Sequence, residues 1–146
     1  MAEFGQWKYT ADRDATIAAY AQEPHGFTKK CGCAGCRNFE LARERIFPPE
    51  FLALLNKLGI DPLKEAEAYH NGRLASGFHD YGGWYHFIGT LEETGDFPPV
   101  DFGGSFCAWM CRASAPRLAS LKSANAVQLE FCSDAVPWLL DEPEPR

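Results

Sequence analysis

Several signals that assign a protein to a class are missing from this sequence of 146 residues. It has no run of about 18 apolar residues, the minimum for a membrane-spanning helix. Its first residues have neither the basic region nor the apolar core of a secretory leader. Only 14 lysines and arginines stand against 20 aspartates and glutamates, a net charge of −6, whereas proteins that bind nucleic acids or anionic membranes carry basic surfaces. We therefore expect a cytoplasmic protein that binds neither nucleic acid nor membrane.

The sequence motifs of several large enzyme classes are missing as well. There is no nucleophile elbow, no P-loop, no H-E-x-x-H zinc motif and no glycine-rich dinucleotide fingerprint. Internal repeats, low-complexity tracts and long linkers are also absent, and a chain of this length can form one domain with its own core. We expect a single domain over residues 1–140, followed by a mobile, acidic and proline-rich tail over residues 141–146.

Cysteine, in contrast, is concentrated in one place. Three of the six cysteines fall within residues 31–36, which we call the cysteine knuckle. The spacing Cys33-x-x-Cys36 is typical of zinc ligands, because the intervening turn brings both sulfur atoms to one side. A helix beginning at Cys36 would favour the thiolate through its dipole. Since disulfides are rare in a reducing cytosol, the knuckle predicts a structural zinc ion bound by Cys31, Cys33 and Cys36.

The sequence leaves the fourth zinc ligand open. His25 is close in the chain, and Cys107, Cys111 or Cys132 could reach the knuckle through the fold. Cys107 and Cys111 would lie about 13 Å apart in a strand, so both cannot bind one ion. The three distant cysteines lie in apolar segments, where cysteine is commonly a core residue. Two other interpretations of the knuckle stand beside zinc: reduced structural thiols, and redox or iron–sulfur chemistry.

A second group of chemically active side chains comprises His79, Asp80 and His86. In an enzyme, one histidine would be the general base and Asp80 would orient it, with a cysteine or a metal ion assisting. The competing interpretation is that His86, which lies in an apolar strand, is a hydrogen-bonded core residue. The aromatic residues around Gly82-Gly83 fit either a binding pocket or a core.

Helical spacing dominates the first half of the chain. The positions of apolar residues predict helices over residues 12–20, 36–47 and 51–58, the last ending at Gly59 in a left-handed cap. Pro62 would begin a further short helix, with an apolar face formed by Leu63, Ala66 and Tyr69.

Strand patterns replace helical spacing after residue 72. Two-residue periodicity predicts strands over residues 84–91, 105–112 and 126–132, with a further candidate strand at 73–79 and a turn at 80–83. An earlier strand is indicated around Trp7 and Tyr9. These elements predict an α+β fold, in which short helices pack on a mainly antiparallel sheet of about four to six strands in one compact domain with the cysteine knuckle.

Three separated stretches together resemble a known family. They are C-x-x-C-R-N-F at residues 33–39, G-W-Y-H-F-x-G at residues 83–89 and P-W-L-L-D-E-P at residues 137–143. The combination is similar to a family of small uncharacterised bacterial proteins with no established activity. This resemblance implies a bacterial or phage-borne cytosolic domain and transfers no catalytic residue.

These observations favour a binding function. Some small acidic proteins of this kind serve as immunity or antitoxin partners. The comparison is an analogy with that class of protein. An acidic surface steers association with a basic partner. We therefore expect a small cytosolic interaction protein with a structural zinc ion and a protein partner. The alternatives are a metal- or thiol-assisted enzyme at His79, Asp80 and His86, and a cysteine redox sensor.

Overall fold

The computed structural model describes residues 1–92 and 95–145. Glycine and proline predict a loop from residue 94 onward, and its first residue lies outside the described residues. Arg146, the last residue of the predicted tail, also lies outside them. The described chain contains four helices: α1 Arg13–Ala21, α2 Phe27–Cys31, α3 Ala34–Ile46 and α4 Pro49–Leu58. It also contains seven strands: β1 Ala2–Phe4, β2 Trp7–Ala11, β3 Glu67–Arg73, β4 His79–Leu91, β5 Val100–Gly103, β6 Phe106–Arg112 and β7 Ala126–Val136.

The seven strands form one sheet in the order β1-β2-β4-β7-β6-β5, with β3 as an additional partner of β4. Every pairing among them is antiparallel. β4 is central, because β7 pairs with it from His79 to Ile88 on one side. On its other side, β3 pairs with the first half of β4 and β2 with its last residues. The predicted α+β class is confirmed, with seven strands rather than four to six.

Helix α1 fills the gap that β2 and β3 leave along the edge of β4. The Tyr20 hydroxyl donates to the carbonyl oxygen of His86 at 2.6 Å and accepts from the His86 N–H at 3.2 Å. The hydroxyl oxygen of Thr16 accepts from the Ile88 N–H at 3.0 Å. Both side chains are buried, so α1 provides the hydrogen bonds that a neighbouring strand would otherwise make.

Aromatic side chains fill the core between the helices and one face of the sheet, which we call the inner face. Phe106 of β6 and Phe131 of β7 stack with their ring centroids 5.8 Å apart. Phe39 of α3 lies 5.9 Å from Phe131, and Phe51 of α4 lies 4.7 Å from Phe106. All four rings are buried, and their contacts fix α3 and α4 over the middle of the sheet.

The sheet curls until its two edge strands meet. Phe4 of β1 stacks on Phe102 of β5 with centroids 6.1 Å apart. Gly5 follows Phe4 with φ +57°, and a Cβ there would lie 2.7 Å from a methyl carbon of Val100. Glycine therefore fits this turn because it adopts a positive φ without strain and leaves room for Val100. The side chains of β1 and β5 cover the two edges of the sheet.

Two helix ends have the caps that their residue types favour. A carboxylate oxygen of Asp12 accepts from the Ala15 N–H at 3.0 Å at the start of α1. Gly59 ends α4 with φ +81°, as its left-handed cap. The sequence did not predict α2, and α3 begins at Ala34 rather than at Cys36.

The helix predicted from Pro62 is wrong. The chain turns at Pro62 and Leu63, and β3 begins at Glu67. Ala68 is buried while Glu67 and Tyr69 on either side of it are half-buried, which is the two-residue period of a strand. Pairing with β4 outweighs the local helical spacing.

The hairpin of β3 and β4 also differs from the predicted one. Residues 80–83, predicted as a turn, belong to β4, and the true turn lies within the predicted strand 73–79. There the Leu74 N–H donates to the Phe78 carbonyl oxygen at 2.8 Å. A Cβ on Gly82 would lie 2.3 Å from the Tyr69 ring. The glycine pair therefore allows close packing between the strands instead of a turn.

Candidate metal centre

The structure brings the three knuckle cysteines together. The sulfur atoms of Cys31, Cys33 and Cys36 all lie within 4.8 Å of one another. Among the described residues, these three cysteines form a group of mutually close metal-ligating atoms. Thiolate sulfurs are the ligands preferred by zinc and other soft metal ions. The group could therefore hold a metal ion.

Two short helices position the sulfur atoms. Cys31 is the last residue of α2, Cys33 is the N-cap of α3, and Cys36 lies in the first turn of α3. Gly32 joins the helices with φ +67°, a backbone conformation that glycine adopts without strain. The reversal at Gly32 turns the sulfur atoms of Cys31 and Cys33 toward Cys36.

Buried charges hold α2 in place. One carboxylate oxygen of Glu65 accepts from the N–H and the hydroxyl of Thr28, both at 2.7 Å. The other accepts from the Arg43 guanidinium of α3 at 2.6 Å. Glu65 is fully buried and Arg43 nearly so. Charge-assisted hydrogen bonds of this kind fix α2, and with it Cys31, against α3.

The surroundings of Cys33 and Cys36 shift their pKa values in opposite directions. Burial acts to raise the pKa of Cys33, but hydrogen bonds from the backbone N–H and thiol of Cys36 and the thiol of Cys31 outweigh it and lower that pKa. The N–H of Cys36 donates to the Cys33 sulfur at 3.4 Å. Burial first, and then the hydrogen bonds to Cys33 and Cys31, raise the pKa of Cys36. Cys33 is therefore the first of the pair to become a thiolate.

The other cysteines lie away from the knuckle. Cys107 of β6 and Cys132 of β7 are opposite one another, with their sulfurs 3.0 Å apart, on the sheet face that points away from the helices. Cys111 lies on the same face, 3.6 Å from a carboxylate oxygen of Glu130. Burial raises the pKa of Cys111 and of Cys132 to about 12. The structure does not bring these candidate fourth ligands to the three sulfurs.

His25, the remaining candidate fourth ligand, is also outside the sulfur group. It precedes α2, whereas Cys31 ends that helix. Its neighbour Gly26 packs against the backbone of Lys64 and Glu65. The Nδ1 atom of His25 is buried and has no hydrogen-bond partner among the described residues.

The three residues of the alternative enzyme site do not converge. His79 lies on the inner face of β4, and Asp80 and His86 lie on the opposite face, as their alternation with buried Tyr81 and Tyr85 shows. His86 pairs through Nε2 with the Oε1 atom of Gln128 at 2.9 Å. Burial, reinforced by the charge of Arg117, lowers the pKa of His86 to about 4. Gln128 is itself buried.

His79 instead belongs to a chain of hydrogen bonds that the sequence did not predict. Its Nδ1 atom lies 2.7 Å from Nε2 of His70, and its own Nε2 lies 2.5 Å from a carboxylate oxygen of Glu144. We call these three residues the histidine relay. Trp138 covers both imidazoles, and Tyr81 stacks on His70 with centroids 4.6 Å apart. Burial and the neighbouring His79 lower the pKa of His70.

Residues 137–144 form what we call the C-terminal strap. The Oδ1 atom of Asn38 accepts from the N–H groups of Leu139 and Leu140 at 2.6 and 3.2 Å, and its Nδ2 donates to the Pro137 carbonyl at 3.1 Å. The Arg37 guanidinium pairs with the Glu142 carboxylate. Residues of C-x-x-C-R-N-F thus hold P-W-L-L-D-E-P against the helices. The mobility predicted for residues 141–146 stays a prediction.

No protein-family model matches the chain, and comparisons with curated proteins and with solved structures found no match. The resemblance drawn from the three sequence stretches therefore stays a prediction. No helix among the described residues is long and apolar enough to cross a membrane.

Proposed function

We propose that this protein is a small interaction domain stabilised by a zinc ion at the cysteine knuckle. The observation that carries the metal proposal is the approach of three sulfur atoms to within 4.8 Å of one another. Three thiolates, each about 2.3 Å from a central ion, match the ligand set of structural zinc sites. An ion there would hold the end of α2 to the start of α3, two helices joined by a single glycine and the N-cap residue.

The metal proposal is tested by the zinc content of protein purified without an affinity tag. We expect about one zinc per chain. The knuckle thiols should resist alkylation until a chelator is added. Replacing Cys36 with serine should remove the zinc, because two exposed thiolates form an incomplete site. Cys111→Ser, in β6, is the matched control and should retain it.

A metal-free protein whose knuckle thiols all react at once would contradict this proposal. It would favour the redox sensor, the second candidate, which the exposed position and lowered pKa of Cys33 support. Reactive cysteines are accessible residues of low pKa.

The proposed partner is a basic protein. The partner proposal rests on the net charge of −6 and on a groove of about 530 Å³ that extends across β5, β6 and β7. We call it the acidic groove. Asp80, Asp101 and Asp134 line it, and none of the lysines or arginines that the structure describes does. Carboxylates in a groove attract a lysine or arginine side chain of a partner and speed its association.

Affinity capture with two charge variants tests the partner proposal. Wild-type protein should capture a basic protein, and changing Asp80, Asp101 and Asp134 to asparagine should abolish the capture. The control changes three exposed acids elsewhere, Glu3, Asp14 and Glu50, to their amides, which gives the same net charge. Equal capture by both variants, or repeated failure to capture any partner, would contradict the proposal.

A further inference from the structure

His70 lies directly beside the cysteine knuckle. A Cβ atom on Gly35 would lie 3.2 Å from the Cβ and 3.4 Å from the Nδ1 atom of His70. Gly35 stands between Cys33 and Cys36, so the Nδ1 edge of the imidazole faces the turn that carries two of the three sulfurs. The missing side chain at residue 35 leaves this approach open.

The histidine relay determines which nitrogen of His70 is free. The Glu144 carboxylate can only accept, so Nε2 of His79 carries the proton in their 2.5 Å contact. A neutral His79 then has its lone pair on Nδ1, which accepts from the Nε2–H of His70 at 2.7 Å. A neutral His70 is therefore unprotonated at Nδ1. That atom has no hydrogen-bond partner among the described residues.

We propose that Nδ1 of His70 is the fourth protein ligand of the metal ion held by Cys31, Cys33 and Cys36, an inference that rests on the zinc proposal above. Three thiolates and one imidazole form a common closed zinc site. The sulfur group itself does not include His70, so metal binding draws the imidazole and the sulfurs together.

The surroundings of His70 are those of a metal-bound histidine. Such a histidine donates its other N–H to an acceptor that fixes its orientation and strengthens it as a ligand. Here that acceptor is His79, which is itself bonded to Glu144. The site would join α2 and α3 to β3 of the sheet, and through Glu144 to the C-terminal strap.

Titration of the metal-free full chain with Co²⁺, in competition with a chelator, tests this assignment. Charge-transfer absorption counts the bound thiolates, and the visible bands report the coordination geometry. In His70→Gln we expect the three-thiolate absorption with altered visible bands and an affinity at least about tenfold lower. Glu144→Ala, at the exposed strap, removes the acceptor of the relay and should weaken binding about tenfold. His25→Gln is the matched control and should bind like the wild type.

The outcomes separate the two proposals. If wild-type protein binds Co²⁺ through three thiolates and both His70→Gln and Glu144→Ala keep its affinity and visible bands, His70 is not a ligand and the zinc proposal stands. If the wild-type protein shows no thiolate-to-cobalt absorption, both proposals fall. Should His70→Gln not fold by circular dichroism, wild-type affinity in Glu144→Ala overturns the assignment.

Discussion

His86 is a residue whose protonation opposes folding. Burial lowers its pKa to about 4, while in the unfolded chain a histidine titrates near pH 6.5. Between these values the unfolded state binds more protons than the folded state, so the free energy of unfolding decreases as the pH falls from about 6.5 to 4. Above this window both states are neutral at His86, and its titration contributes nothing.

Replacing His86 with phenylalanine should remove this pH dependence. We expect the wild type to lose up to about 3 kcal/mol more than His86→Phe between pH 7 and pH 4. The Oε1 atom of Gln128 keeps its hydrogen bonds from Ser114 in the variant. Urea unfolding at several pH values measures the difference. His25→Gln, a half-buried histidine, is the control, and equal pH slopes in wild type and His86→Phe would contradict the assignment.

Helix α1 takes the place of a strand beside β4. Substituting two buried tyrosines measures how much the hydrogen bonds from α1 contribute to stability. Tyr20→Phe leaves the N–H and carbonyl of His86 buried without their partner. We expect a loss of about 1–3 kcal/mol in stability and faster hydrogen exchange at the His86 amide. Tyr9→Phe is the matched control, because the hydroxyl of Tyr9 is buried and has no partner among the described residues.

Chemical unfolding of the two variants gives the comparison directly. Tyr9→Phe should be neutral or slightly stabilising, because it removes an unsatisfied polar group. Equal destabilisation by both substitutions would mean that the hydroxyl of Tyr20 does not replace a strand partner.

Elements with strong local patterns could be predicted from the sequence. Helices α3 and α4, the left-handed cap at Gly59 and strand β7 follow from spacing alone. Strand β3 could not, because its helical spacing is overridden by pairing with β4. Because the local spacing predicts a helix here, it does not place His70 opposite Tyr81, and the approach of His70 to the knuckle does not follow from the sequence.

At the scale of the whole molecule, the fold class was predictable and the closure of the sheet was not. Alternating apolar residues indicate strands but not the order of the strands in the sheet. That order places β2 beside the end of β4. The contact between the edge strands depends on Phe4 and Phe102, which are 98 positions apart in sequence. The same limit applies to the site, where Glu144 meets His79 across 65 positions.

The position of α1 also has a consequence for the order in which we expect the chain to fold. His70 and His79 are nine positions apart, so the hairpin of β3 and β4 closes a short loop. Tyr20 meets His86 across 66 positions, and Thr10 meets Thr90 across 80. Because longer loops cost more entropy to close, we expect the hairpin to form early and the segment with β2 and α1 to dock after it. In any state in which α1 has not yet docked, the middle of β4 would be an open strand edge, available to pair with another chain.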